Sequence, residues 1–139
     1  MTNRPPVLFL DIDGVMRVFP SAPDSHPDTG FTARAVSGLR EIIASTACDI
    51  VVSSTWREDS MDALKQALGF HDLGIAKSRI IGVTPLLDLA DNPTREDEID
   101  YWLRDHRFKG RMAILDDEIL ERDLRHRQVL SSTRACCSS

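Results

Sequence analysis

Asp11 and Asp13 stand one residue apart in Asp11-Ile12-Asp13-Gly14-Val15. In an extended chain the side-chain period is two, so both carboxylates face the same way. Far downstream, Asp116-Asp117 adds two more. Carboxylates gathered in one place repel one another unless a cation holds them. Hard oxygen donors with no Cys or His beside them favour Mg2+ over zinc. An ion held this way keeps positions for water and a substrate phosphate. A carboxylate can then attack phosphorus in line, giving an aspartyl-phosphate. A carboxylic acid two residues on can protonate the leaving oxygen and later deprotonate the hydrolytic water. A hydroxyl (Ser53 or its neighbour Ser54) and a cation (Arg95) suit the phosphoryl oxygens, where charge accumulates. Gly14 lets the chain turn sharply past an ion.

Most of these groups follow an apolar run. Val7 to Leu10 precedes Asp11, Asp49-Ile50-Val51-Val52 precedes Ser53, and Met112 to Leu115 precedes Asp116. Such short unbroken runs read as strands buried on both faces. Ile80 to Val83 reads as a third strand in chain order, and Gln128 to Leu130 as a last edge strand. Helical periods lie between them. One starts at Thr32 with Val36, Leu39, Ile42 and Ile43, and a second has Met61, Leu64 and Leu68 with a stop at Gly69. The best-signalled helix starts with Thr94 and Asp97 in a capping-box arrangement, and Glu96 and Glu98 suit its positive end. Its expected buried face is Ile99, Trp102, Leu103 and His106. Ile119, Leu120 and Leu124 mark a short helix after the fourth strand. Alternating strands and helices imply an α/β fold with a parallel sheet covered on both faces. Ligands of such sheets bind beyond the carboxyl ends of the strands, where the chemistry-bearing residues fall.

The chain has 139 residues, 42% hydrophobic and 28% charged, which suits a single globular domain and excludes disorder throughout. Its expected division is a core over about 7–130, a Pro-rich flap loop over 15–31 and a tail over 131–139. The net charge is −5, from 17 Lys+Arg against 22 Asp+Glu. That balance disfavours a broad basic clamp on nucleic acid, though it leaves room for a small basic site. Arg122, Arg125 and Arg127 read as a solvated face or as steering for a polyanion. No apolar run approaches the roughly 18 residues of a membrane span. Cys48, Cys136 and Cys137 contain no C-x-x-C pair, which argues against a disulfide framework or structural zinc and for a cytoplasmic setting. No G-x-x-x-x-G-K-[ST] occurs, so a P-loop kinase is disfavoured.

These residues resemble the haloacid dehalogenase (HAD) superfamily of phosphohydrolases. Its first motif, D-x-D-x-[TV] after an apolar strand, is Asp11-Ile12-Asp13-Gly14-Val15. Its second, a Ser or Thr ending a strand, matches Ser53 or Ser54. Its third, a Lys or Arg, matches Arg95 or alternatively Lys77. Its fourth, an acidic pair after a strand, matches Asp116-Asp117. The resemblance implies a three-layer, Rossmann-like sheet of about five strands with no large cap. It implies Asp11 as nucleophile and Asp13 as general acid/base. It implies Mg2+ held by Asp11, the carbonyl of Asp13, Asp116 and, directly or through water, Asp117. The stretch from Val51 to Arg57, with Ile80 to Pro85 and the Arg95-to-Leu103 helix, is also similar to small HAD domains of RNA-repair proteins and to polynucleotide 3′-phosphatase domains.

Plainer readings stand beside these. A D-x-D-G can be only a turn, Ser53 and Ser54 can cap a helix near Trp56, and Arg95 can pair at the surface with Glu98 or Asp91. The expected activity is a Mg2+-dependent phosphatase acting on a nucleic-acid end or a small phosphometabolite. The alternative is a non-catalytic phosphate or nucleic-acid binding module on the same scaffold. The sequence leaves the oligomeric state open.

Overall fold

The computed structural model describes residues 5–18, 20–52, 61–73, 78–85 and 94–116, and the backbone of 128–130. Among these, the apolar runs form five strands: β1 (Val7–Leu10), β2 (Asp49–Val52), β3 (Ile80–Val83), β4 (Met112–Asp116) and β5 (Gln128–Leu130). The helical periods form α1 (Ala33–Thr46), α2 (Met61–Phe70) and α3 (Arg95–Asp105). All strand pairs are parallel, in the order β3-β2-β1-β4-β5. The connections through α1 and α2 step outward from β1 to β2 to β3. The connection through α3 then crosses back to β4, on the other side of β1. Right-handed crossovers that reverse direction must place their helices on opposite faces.

The core divides accordingly. Leu8, Leu10, Ile50 and Val52 pack with Leu39 and Ile43 of α1 and Leu64 and Leu68 of α2. Val7, Phe9, Val51 and Ile114 pack on the other face with Ile99 and Trp102 of α3. The period-two alternation of β1 thus feeds two separate clusters, as a sheet covered on both sides requires. Phe9 meets Trp102 edge to face at 5.4 Å. Cys48 is buried, as its apolar setting predicts.

Three local features differ from the sequence expectation. Gly69 lies inside α2, which runs on to Phe70. The chain turns at Asp72 (φ 62°), where Leu73 N donates to Leu68 O. His106 is exposed rather than buried, because α3 ends at Asp105 and the helical period stops there. Its ring stacks on Trp102 at 4.0 Å from outside the core. On the edge strand β3, Ile50 pairs with Ile80 but Val51 pairs with Gly82, so Ile81 is an extra, exposed residue. Such a bulge blunts an edge against further pairing.

The loop after β1 is pinned at both ends. Met16 N donates to Ile12 O, and Thr32 N donates to Met16 O. Met16 and Phe31 are both buried in the core. Thr32 then caps α1, its hydroxyl accepting from Ala35 N at 3.1 Å. His71, after α2, stacks on Phe31 and shares a 2.6 Å hydrogen bond with the Thr29 hydroxyl. Partial burial, with His26 and Arg40 nearby, lowers the His71 pKa.

Candidate active site

Asp11 and Asp116 become neighbours through the sheet order. Leu10 pairs with Leu115, and Asp11 N donates to Leu115 O at 3.0 Å. Each Asp is the next residue along, at adjacent carboxyl ends. The direction of winding reverses between β1 and β4, and at such a switch point a crevice opens beyond the strands. By the two-residue period, Asp11 shares the face of Phe9, and Asp116 that of Ile114. That is the α3 face.

Arg95, the first residue of α3, projects between them. One guanidinium nitrogen, Nη1, stands 3.2 Å from Asp11 Oδ1 and 2.6 Å from Asp116 Oδ2. Its Nε lies 3.8 Å from Glu98 Oε1, one turn along the helix. The two aspartates are almost wholly buried, at 3% and 0% exposure. Buried carboxylates this close need a positive charge or hydrogen-bond donors around them. Arg95 supplies charge, and Ile12 N donates to Asp11 Oδ1 at 3.0 Å. The capping box formed by Thr94 and Asp97 fixes where α3 begins, and therefore where Arg95 stands.

Asp13 sits just beyond, past the point where β1 ends. Gly14 (φ 91°) takes a backbone conformation that only glycine adopts freely. The turn it permits brings Arg17 back onto Asp13, with Nε 2.5 Å from Oδ1. The structure therefore gathers Asp11, Arg95 and Asp116 into one contact set and links Asp13 to Arg17. Ser53, Ser54, Lys77 and Asp117 lie outside the described residues, as does the expected helix over 119–124.

Residues 7–135 match the family described as the HAD domain in Swiss Army Knife RNA repair proteins. The chain belongs to this family. No curated protein and no solved structure matches it. The parallel α/β sheet with helices on both faces is consistent with the HAD fold. No helix among the described residues of this HAD domain is long and apolar enough to cross a membrane.

The donor chemistry of the HAD domain fits Mg2+. Asp11 and Asp116 offer hard carboxylate oxygens side by side. Among the described residues no third His, Cys, Asp or Glu joins them in a metal-binding group. Mg2+ needs no protein cage, since it binds through one or two carboxylates and keeps several waters.

Sequence reasoning missed one neighbour of this site, Arg17, and misplaced another, Glu98. Arg17 falls in a Pro-rich loop with no periodic pattern, so its pairing emerges only once the loop folds back. Glu98 is the partner of Arg95 that the sequence offers, but the pair is buried rather than at the surface. An acid three residues after Arg95 on a helix is a signal for that contact.

Proposed function

We propose that this HAD domain is a Mg2+-dependent phosphomonoesterase that works through a phosphorylated Asp11. The observation that carries the reading is the bridge from Arg95 to Asp11 and Asp116 at the switch point of the sheet. Asp11, Asp116 and the carbonyl of Asp13 would hold the ion, with Asp117 as a further donor. The ion supplies charge neutralisation and polarises the phosphate. The Asp11 carboxylate attacks phosphorus in line; a new O–P bond forms as the ester P–O bond breaks. Asp13, as the acid, gives its proton to the leaving oxygen. In the second half, the Asp13 carboxylate takes a proton from water. That water oxygen bonds to phosphorus as the bond to Asp11 breaks, releasing inorganic phosphate. Arg95 holds the Asp11 carboxylate in place, and its charge favours phosphoryl oxygens as they gain charge.

The substrate class proposed is a phosphorylated RNA end. The family's association with RNA repair supports it. So does the segment between Asp13 and α1, whose described residues carry no helix that would roof the crevice. The test is phosphate release from a panel of aryl phosphate, nucleotides, and 3′- and 5′-phosphorylated oligonucleotides, with and without Mg2+. The expected result is Mg2+-dependent release, greatest with an RNA end and abolished in Asp11→Asn at unchanged circular dichroism. Release that persists in Asp11→Asn refutes the nucleophile. Binding of phosphorylated ends without release by the wild type favours the non-catalytic module.

A further inference from the structure

We propose that Arg17 is a positioning residue for Asp13, tying the orientation of its carboxylate to the loop that leaves β1. The inference rests on the acid/base reading of Asp13. Asp13 lies on a turn, partly exposed, where its side chain has staggered alternatives to choose from. Arg17 narrows that choice because its Nε donates to Oδ1, a bond that Asp13 accepts as a carboxylate or as a carboxylic acid. An ion pair as exposed as this one adds little to stability, so its value is geometric.

Arg17 is itself held from several directions. Its N–H donates to Ile12 O, and its carbonyl accepts from Gly14 N at 2.7 Å. Its backbone bridges to Phe31, a fully buried anchor of the far end of the loop. Its aliphatic stem crosses Gly30, which has no Cβ and whose φ of 78° favours glycine. A Cβ there would lie 3.5 Å from Arg17 Cδ. The guanidinium is thus delivered to Asp13 by a frame that includes both ends of the loop. A displaced loop moves Arg17, and with it the carboxylate that must meet the leaving oxygen.

Leaving-group dependence reads this role directly. A phenolate departs without a proton, whereas an alkoxide needs one. The measurement is kcat/KM for an aryl phosphate and for a 3′-phosphorylated oligonucleotide, an alkyl phosphate. Arg17→Met keeps the stem over Gly30 and removes the charge. It is expected to lower kcat/KM for the alkyl substrate about ten-fold more than for the aryl one, a part of the 10²- to 10⁴-fold that general acids typically contribute. Arg17→Lys is expected to recover part of the loss, because it restores charge but not the fixed geometry of Nε. Asp13→Asn serves as the reference and is expected to show the larger alkyl-selective loss. Equal losses on both substrates in Arg17→Met, or no loss, beside a selective loss in Asp13→Asn, would overturn the role of Arg17. A non-selective loss in Asp13→Asn would instead remove the acid/base reading, and this inference with it.

Discussion

Arg95 occupies a place where a cation is opposed by its own helix. As the first residue of α3 it lies at the positive end of the helix dipole. Three carboxylates offset that repulsion: Asp11, Asp116 and Glu98. Two of the three are almost completely buried, so their need for positive charge is greater than that of surface acids. Arg95→Met is therefore expected to destabilise the fold by about 3–5 kcal/mol, the usual scale for removing one partner of a buried ion pair. The variant should also respond to Mg2+ more than the wild type does. A divalent cation between Asp11 and Asp116 would replace part of the missing charge and raise the unfolding temperature. Thermal unfolding of both proteins, with and without Mg2+, checks this without any assay of turnover. Equal responses to Mg2+ would mean that the ion does not use these carboxylates.

At the scale of elements, α3 sets the site because its start sets Arg95. The Thr94 hydroxyl accepts from Asp97 N, and the Asp97 carboxylate accepts from Thr94 N. Thr94→Ala is expected to cost about 1 kcal/mol by denaturant unfolding. It should lower kcat/KM by a larger factor than Thr46→Ala, since fraying of the first turn shifts Arg95 whereas the far end of α1 carries no site residue. Equal activities would show that Arg95 is held by its carboxylates alone. This capping box was legible in the sequence, as were the strands. Four apolar residues in a row, such as Val7 to Leu10, have one economical use in a short α/β chain. Other features depend on contacts that no local pattern encodes. His106 continues the apolar spacing of α3, yet the helix ends one residue before it. Ile81 looks like any strand residue until the register with β2 slips. Arg17 has no partner in the sequence until Gly14 turns the chain.

At the scale of the whole molecule, charge and topology together bear on substrate choice. The switch point between β1 and β4 brings the candidate site to the carboxyl ends of two strands, and the net charge is −5. A polyanion gains nothing from the average field of such a chain. If an RNA end is the substrate, recognition must be concentrated on the terminal phosphate and its nearest neighbours. Each phosphate contact on a single strand adds about −0.7 to the slope of log affinity against log salt. One or two contacts predict a slope of about −1 for log kcat/KM measured below saturation. They also predict little gain as the oligonucleotide grows beyond a few nucleotides. A long basic track would behave otherwise, with a slope of −3 or steeper and rates that keep rising with length. The candidates for such a track are Arg122, Arg125 and Arg127, outside the described residues. Measuring kcat/KM for phosphorylated oligonucleotides of increasing length over a range of salt separates the two. A shallow, length-independent response supports reading of the end alone. A steep one, softened by neutralising those three arginines, would make this HAD domain a reader of the strand as well as of its terminus.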